Sequence, residues 1–493
     1  MDKIYNKIRM FLLLSLCCVC LCSCQETPPK DIVVNETANL SIENNAGQST
    51  ANHQKNDTSV IYIDKRFEST DGSVQFKFNV EVDPAPTEMS TVFVTPHYLT
   101  EEVARRTAFA LFGDVDFFER EPYQSVTYSK AEVQERISKW SQYANADALS
   151  ELYGTNDNSF VLELIKDYIY DYTQKLETAP ASNPHLPCKW TFKESLLYSF
   201  EPEDLSSQEL KNDNVAIMSN CVINGITYCF DAVTRNRLDY KLNVMAAYVD
   251  SSNSPFGIDD AITRSILCRT AKPSQTEVDA LKERAMSILD QIDLGEWSID
   301  SCTLAESIIG DQVEYSIQVN AVPLLGGVNA VDCAPFLKQK DENVYSSNYY
   351  LTSAQFEFAP DGTLLSFDLT SPLDIIEIGE SIKNVSSADS LISRVIEVLS
   401  LTDFYAFCSN IPEQYEKMPL TCNVEIERAY YGLIRTQVAN EDNLYQYVPS
   451  FVVIGTMSVS NSETGDLYMV KGEPGIILAL NAQNGAILIA PGL

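Results

Sequence analysis

The chain has 493 residues, 45% of them hydrophobic and 10% aromatic, enough apolar content for several folded cores. Its formal net charge is −34, and no basic patch offsets that field, which argues against a nucleic-acid partner. Only three histidines occur, so histidine-based metal sites and serine-hydrolase triads have little material to draw on.

Residues 1–23 read as a secretory signal. Lys3, Lys7 and Arg9 form a short basic region, and an apolar core runs from Met10 to Cys22. That core is too short to be a comfortable membrane span. Leu21-Cys22-Ser23-Cys24 resembles the lipobox of bacterial lipoproteins. The resemblance implies cleavage before Cys24, diacylglycerol on its sulfur, and a body held outside the cytoplasmic membrane by the N-terminal lipid only. Residues 24–57 are rich in Asn, Ser, Thr and Gln and read as a flexible tether.

A first α+β region is expected over 58–269. Val74, Phe76, Phe78, Val80 and Val82 alternate with polar residues, which predicts a half-buried strand, and Thr91–Val94 predicts another. Thr100 caps a helix ending at Gly113, and Ser129 with Glu132 forms a capping box before Val133, Ile137 and Trp140. A third helix buries Val161, Leu164, Ile165, Tyr168, Ile169, Tyr172 and Leu176. A proline-rich linker over 178–187 leads to strands at Trp190–Phe200, Cys221–Phe230 and Tyr240–Tyr248. Asn224-Gly225 reads as a hairpin turn. A three-residue loop would set Cys221 and Cys229 face to face as a disulfide, whereas a two-residue loop would offset them by one.

Two helix-plus-sheet units follow, at 270–380 and 381–493. The first opens at Ser274 with Glu277 in the box position and continues through strands around Val313–Val319, Phe356–Phe358 and Leu364–Phe367. The second opens at Ser386 with Asp389. Its strands lie at Cys422–Ala429, Gly432–Val438, Tyr445–Gly455, Ile476–Leu480 and Ile487–Ile489. The expected fold is α+β: antiparallel sheets, each packed by a helix, in repeated units.

The lipobox, the tether and the stretches Val92–Gly113 and Asn224–Tyr248 resemble large uncharacterised lipoproteins of gut Firmicutes. Glu425-Ile-Glu-Arg-Ala-Tyr-Tyr-Gly-Leu-Ile434 and Tyr447-Val-Pro-Ser-Phe451 are also similar to extracellular regulators associated with two-component sensors and to peptidase-inhibitory propeptide-type (PepSY-like) domains. That similarity implies protein–protein contact outside the membrane and no activity whose residues carry over.

The search for chemistry returns little. There is no His-Glu-x-x-His pattern, no Gly-x-Ser-x-Gly elbow and no phosphate-binding glycine loop. No catalytic residue, metal ligand or cofactor site is expected. His97 reads as orienting the helix at Thr100 or as exposed, and His185 and Cys188 lie three residues apart in the linker. Glu425 and Glu427 share a strand face, the kind of carboxylate pair a glycan-acting hydrolase needs. The leading expectation is a non-catalytic, surface-anchored lipoprotein that binds an extracellular or envelope protein through Tyr430, Tyr431, Tyr445 and Tyr447. The alternatives are that hydrolase and a structural spacer.

Overall fold

The computed structural model describes residues 60–120, 128–153, 158–182, 185–194, 215–224, 226–234, 240–246, 264–268, 271–309, 312–331, 352–408, 418–437, 444–470 and 474–490. One compact unit spans Thr58–Leu493. It opens with β1 (Ile61–Glu68), β2 (Val74–Val82) and β3 (Met89–Pro96), then α1 (Glu101–Phe112) and β4 (Phe118–Glu119). A helical lobe follows: α2 (Lys130–Tyr143), α3 (Ala146–Tyr153) and α4 (Ser159–Thr178). Next come β5 (Lys193–Glu194), β6 (Val215–Ile223), β7 (Ile226–Thr234), β8 (Tyr240–Ala246) and α5 (Gln275–Ile292). Strands β9 (Trp297–Ile309), β10 (Gln312–Leu325), β11 (Val328–Asn329), β12 (Ser353–Phe358), β13 (Leu364–Thr370) and β14 (Leu373–Ile382) precede α6 (Ala388–Ser400) and α7 (Phe404–Phe407). The chain closes with β15 (Leu420–Gln437), β16 (Tyr445–Asn461), β17 (Leu467–Val470), β18 (Gly475–Asn481) and β19 (Ile487–Ile489).

These strands make an α+β fold of two large sheets. The nine-stranded sheet runs β1-β2-β15-β16-β18-β19, with β3 on β16, β14 on β3 and β17 on β16. The ten-stranded sheet runs β11-β10-β12-β13-β8-β7-β6-β4, with β9 on β10 and β5 on β6. Pairing therefore crosses the sequence boundaries at 269/270 and 380/381. β8 joins β13, β2 joins β15 in parallel, and β14 itself runs across the second boundary to pair with β3. The segments 58–269, 270–380 and 381–493 are not separate bodies. Alternation in a sequence reports which face of a strand is apolar, not which strand lies beside it.

The predicted helices form where their caps and faces require. Thr100 Oγ1 accepts from the Val103 N–H at 3.2 Å, and Glu101 and Glu102 lie in the first turn, where the exposed N–H groups favour anions. Ser129 and Glu132 form the expected reciprocal box, as do Ser274 and Glu277. The α6 cap is one residue later than the sequence suggests: Ser387, not Ser386, accepts from the Ser390 N–H. Ser386 is instead tied to the C-terminal turn, with its Oγ donating to the Gln483 carbonyl at 2.7 Å.

Helices α1 and α5 cover one face of the ten-stranded sheet, where Ala104, Ala108, Leu281 and Ala285 pack with Phe230, Phe356, Phe358 and Phe367. Helix α6 covers the nine-stranded sheet, where Leu391, Val395 and Leu399 pack with Phe76, Phe78, Val424 and Phe451. In chain order α5 is followed by β9 to β13, of which β9-β10-β12-β13 form one antiparallel run, and α6 by α7 and β15 to β19, of which β15-β16-β18-β19 form another. In each set the last hairpin turns through a positive-φ glycine, Gly362 or Gly485.

The stretches predicted separately at Cys422–Ala429 and Gly432–Val438 are one strand, β15, with a bulge between Ile426 and Arg428. The bulge has a clear task. Cys422, Val424 and Ile426 face the α6 core, and after the extra residue Glu427 it is Ala429 and Tyr431 that do so. Without it the second half of β15 would turn its apolar set to the opposite face. Gly455 sits across from the bulge, and a Cβ there would overlap the Glu425 carbonyl and come within 3.0 Å of the Ile426 Cα. Gly455→Ala should therefore destabilise the fold by about 2 kcal/mol or more, read as a lower urea midpoint at unchanged slope.

Candidate functional site

The sequence-expected sites are placed apart from one another. Cys24 lies outside the described residues. The 223–226 turn is the two-residue kind: Ile223 pairs with Ile226, and Asn224 takes the left-handed conformation at φ 52°. Cys221 is then opposite Tyr228 and Cys229 opposite Asn220, so adjacent register positions put the two sulfurs on opposite faces of the hairpin. The Cys221–Cys229 disulfide is not formed. Burial pushes the Cys221 thiol up to about 12.

The four tyrosines do not form one exposed patch. Tyr447 is 3% exposed, and it packs with Tyr431 and Tyr445 into a core that includes Val92, Val94 and Leu433. Tyr431 O–H donates to the Ser386 carbonyl at 2.7 Å, and its ring meets Phe451 edge-on at 5.1 Å. Tyr430 faces the other side of β15, against Ile434, Val452 and Ile454, with Arg428 stacked over its ring at 4.7 Å. An alternating strand cannot present neighbours 430 and 431 to one partner. The aromatic run is built into two cores, and its spacing alone could not distinguish that from display.

The carboxylate pair is likewise divided between partners. Glu425 is ion-paired with Lys77 on β2, while Glu427, the bulge residue, accepts from Thr456 Oγ1 at 2.8 Å. Both are exposed. His97 does not touch the Thr100 cap; its Nδ1 meets Asp374 Oδ1 at 2.8 Å and its N–H donates to the Pro372 carbonyl, clamping the end of β3 to the start of β14. His185 Nε2 meets Glu132 Oε1 at 2.7 Å and its ring lies on Phe118. Cys188, three residues on, hydrogen-bonds through its N–H to the Phe117 carbonyl, and burial is the main reason its thiol is held above its usual range. A thiol shifted in that direction is a poorer nucleophile at neutral pH.

Two charged places remain. A shallow recess at the β4–β6 edge is lined by Glu119, Arg120, Cys188, Trp190, Lys193 and Met218. Trp190 has φ 53°, a left-handed kink, and within the described part of the strand predicted over Trp190–Phe200, residues 190–194, β5 is Lys193–Glu194. Lys193 holds the Glu119 carboxyl below its usual range through a hydrogen bond, and Arg120 is ion-paired with Asp231. The recess thus presents ion pairs already made. On the ten-stranded sheet, Glu357 accepts from Arg264 through both oxygens, from Ser316 Oγ at 2.8 Å and from Ser366 Oγ at 3.5 Å. Burial acts to raise the Glu357 carboxyl, but these donors outweigh it and hold it low.

The feature the sequence reading did not contain is strand β14. Among the described residues it has one neighbour, β3, and its remaining edge is open. Ile375, Ile376 and Ile378 are 45%, 60% and 52% exposed. Glu377 and Glu380 are exposed beside them, and bulges interrupt the pairing on either side of Glu377 and Ile378. Its sequence lacks clean alternation because of the Ile375-Ile376 pair and Gly379, so periodicity gave no signal.

No family model and no curated protein matches the chain. Among solved structures, it is similar to an uncharacterized protein from Eubacterium rectale, with 11% identity and a TM-score of 0.36 over 84% of this chain and 90% of that chain. Among the described residues no group of His, Cys, Asp and Glu is arranged to hold a metal ion. No described helix is long and apolar enough to cross a membrane.

The Glu357 cluster has a measurable consequence. Its carboxyl is lowered in the folded state, so its stabilisation is complete above the ordinary glutamate value of 4.5 and is lost as pH falls toward the lower folded value. Glu357→Gln should flatten the urea-midpoint decline below that value and lower stability at neutral pH, where Arg264 loses the carboxylate charge to which its Nη1 and Nη2 donate.

Proposed function

We propose that this protein is a lipid-anchored, extracytoplasmic binding protein whose body takes up an extended segment of a partner protein along the open edge of β14. The observation that carries the reading is that edge itself. Among the described residues no strand pairs with it, and it sets its backbone donors and acceptors beside three exposed isoleucines in one strand. A partner strand would complete the ladder through main-chain hydrogen bonds, and its alternate side chains would bury the isoleucines. Exposed Glu377 and Glu380 favour lysine or arginine between the apolar residues of that segment.

Other features support the same reading. The net charge of −34 disfavours nucleic acid. The lipobox resemblance at Cys24 supplies the anchor, and a two-chain lipid is enough to hold a body at a membrane. The two antiparallel runs of four strands, each following a helical segment, support kinship with the regulator-like, PepSY-like units, whose resemblance implies contact between proteins outside the membrane.

Site-specific photo-crosslinking in cells tests this on the full chain. A photoreactive residue at Ile376 should give a discrete protein adduct that the same residue at exposed Tyr170, on the helical lobe, does not. A second substitution, Ile378→Lys, should remove most of the adduct without lowering the melting temperature. An adduct formed equally from both positions, glycan without protein, or no adduct at Ile376 would contradict the reading.

A further inference from the structure

Cys408 and Cys422 come from different elements and meet in the core beneath α6. Cys408 closes the short helix α7, its N–H donating to the Phe404 carbonyl at 3.0 Å. Cys422 lies near the start of β15, opposite Val459 and beside Val74. The residues are 5% and 0% exposed and belong to the same apolar cluster as Phe76, Phe404 and Phe407. Both are free thiols in the structure, and each is the group that most perturbs the other.

The contact is fixed from outside the pair. The Ser73 carbonyl accepts from the Cys422 N–H at 3.0 Å, and Ser73 Oγ accepts from the Phe404 N–H at 3.0 Å. Ser73 is held in turn by Asp71, whose carboxylate accepts from its hydroxyl at 2.8 Å. Asp403 caps α7 by accepting from the Ala406 N–H at 2.9 Å, and Phe407 packs edge-on to Phe76 at 6.0 Å. One residue of the β1–β2 turn therefore positions both the helix that ends in Cys408 and the strand that carries Cys422.

We propose that Cys408 and Cys422 form a disulfide, a covalent staple between α7 and β15 in the exported protein. The oxidising compartment in this statement rests on the lipid-anchor reading; the pairing rests on the geometry above. Both S–H bonds break and one S–S bond forms. The two hydrogens and two electrons pass to an external disulfide, of protein or small-molecule class, which leaves as two thiols. The exchange takes place while the chain folds, because the finished core buries both sulfurs. The staple closes a short loop and limits the unfolded chain, so it raises the melting temperature.

The test uses the full chain, refolded in a glutathione redox buffer and separately isolated from cells with free thiols blocked at lysis. Peptide mapping by mass spectrometry should find the 408 and 422 peptides linked, with two hydrogens lost. Reduction should lower the melting temperature by about 5 °C. The Cys408→Ala/Cys422→Ala chain, and Cys408→Ser if the double variant does not fold, should melt at a temperature that reductant no longer changes. Recovery of both cysteines as alkylated thiols after oxidative refolding, or their linkage to other cysteines, would overturn the pairing. A bond that forms in the buffer while Cys24 carries no lipid in cells would support the pairing and overturn the anchor.

Discussion

The parallel pairing of β2 with β15 is the constraint on which the rest of the molecule depends. It brings Cys422–Ile426 alongside Val74–Phe78, segments separated by most of the folded chain. β2 supplies Phe76 and Phe78, which are almost fully buried under α6. Burying each such ring contributes roughly 2–3 kcal/mol, and the entropy of closing so long a loop grows only slowly with its length. Apolar burial therefore outweighs closure. The consequence is topological: the first strands of the folded body and its last long hairpin lie in one sheet.

The second sheet obeys the same logic on a smaller scale. β8, from the first part of the chain, joins β13 from the middle, and α1 packs beside α5 over the joint sheet. The two sheets then meet through Arg428 on β15, whose guanidinium makes two hydrogen bonds of 2.9 and 2.7 Å to Asp300 on β9. Val331 adds an N–H bond to the Leu433 carbonyl, and Gly432 is small enough to admit Val331 beside it. β14 remains a long strand with one partner among the described residues, its Ile375, Ile376 and Ile378 exposed.

Much of this was legible before any coordinate. The strict alternation of β2 is reproduced residue by residue, with Val74, Phe76, Phe78, Val80 and Val82 buried. The capping boxes at Ser129 and Ser274 stand as read, because those motifs depend on residues three apart and on nothing distant. What was not legible depends on remote partners. The bulge at Glu427 is invisible until Gly455 is placed across from it. The tyrosines of β15 and β16 have the composition of a display patch, yet neighbouring cores claim them. Strand β14 carries too little alternation to be seen, and the nearness of Cys408 to Cys422 needs the fold, because it depends on packing between α7 and β15 and on Ser73 bonding to both.

The most direct test of this account is whether the C-terminal unit can fold without the strands that complete its sheet. Residues 381–493 would be produced alone and followed by circular dichroism during thermal melting, beside the full-length chain. The account predicts no cooperative transition for the fragment and one for the full chain, because β15 would expose Val424 and Ile426 where β2 should lie. A sharp cooperative melt of the fragment alone would contradict it and would mean that the sheet is specified locally, with β1 and β2 added to a body already formed.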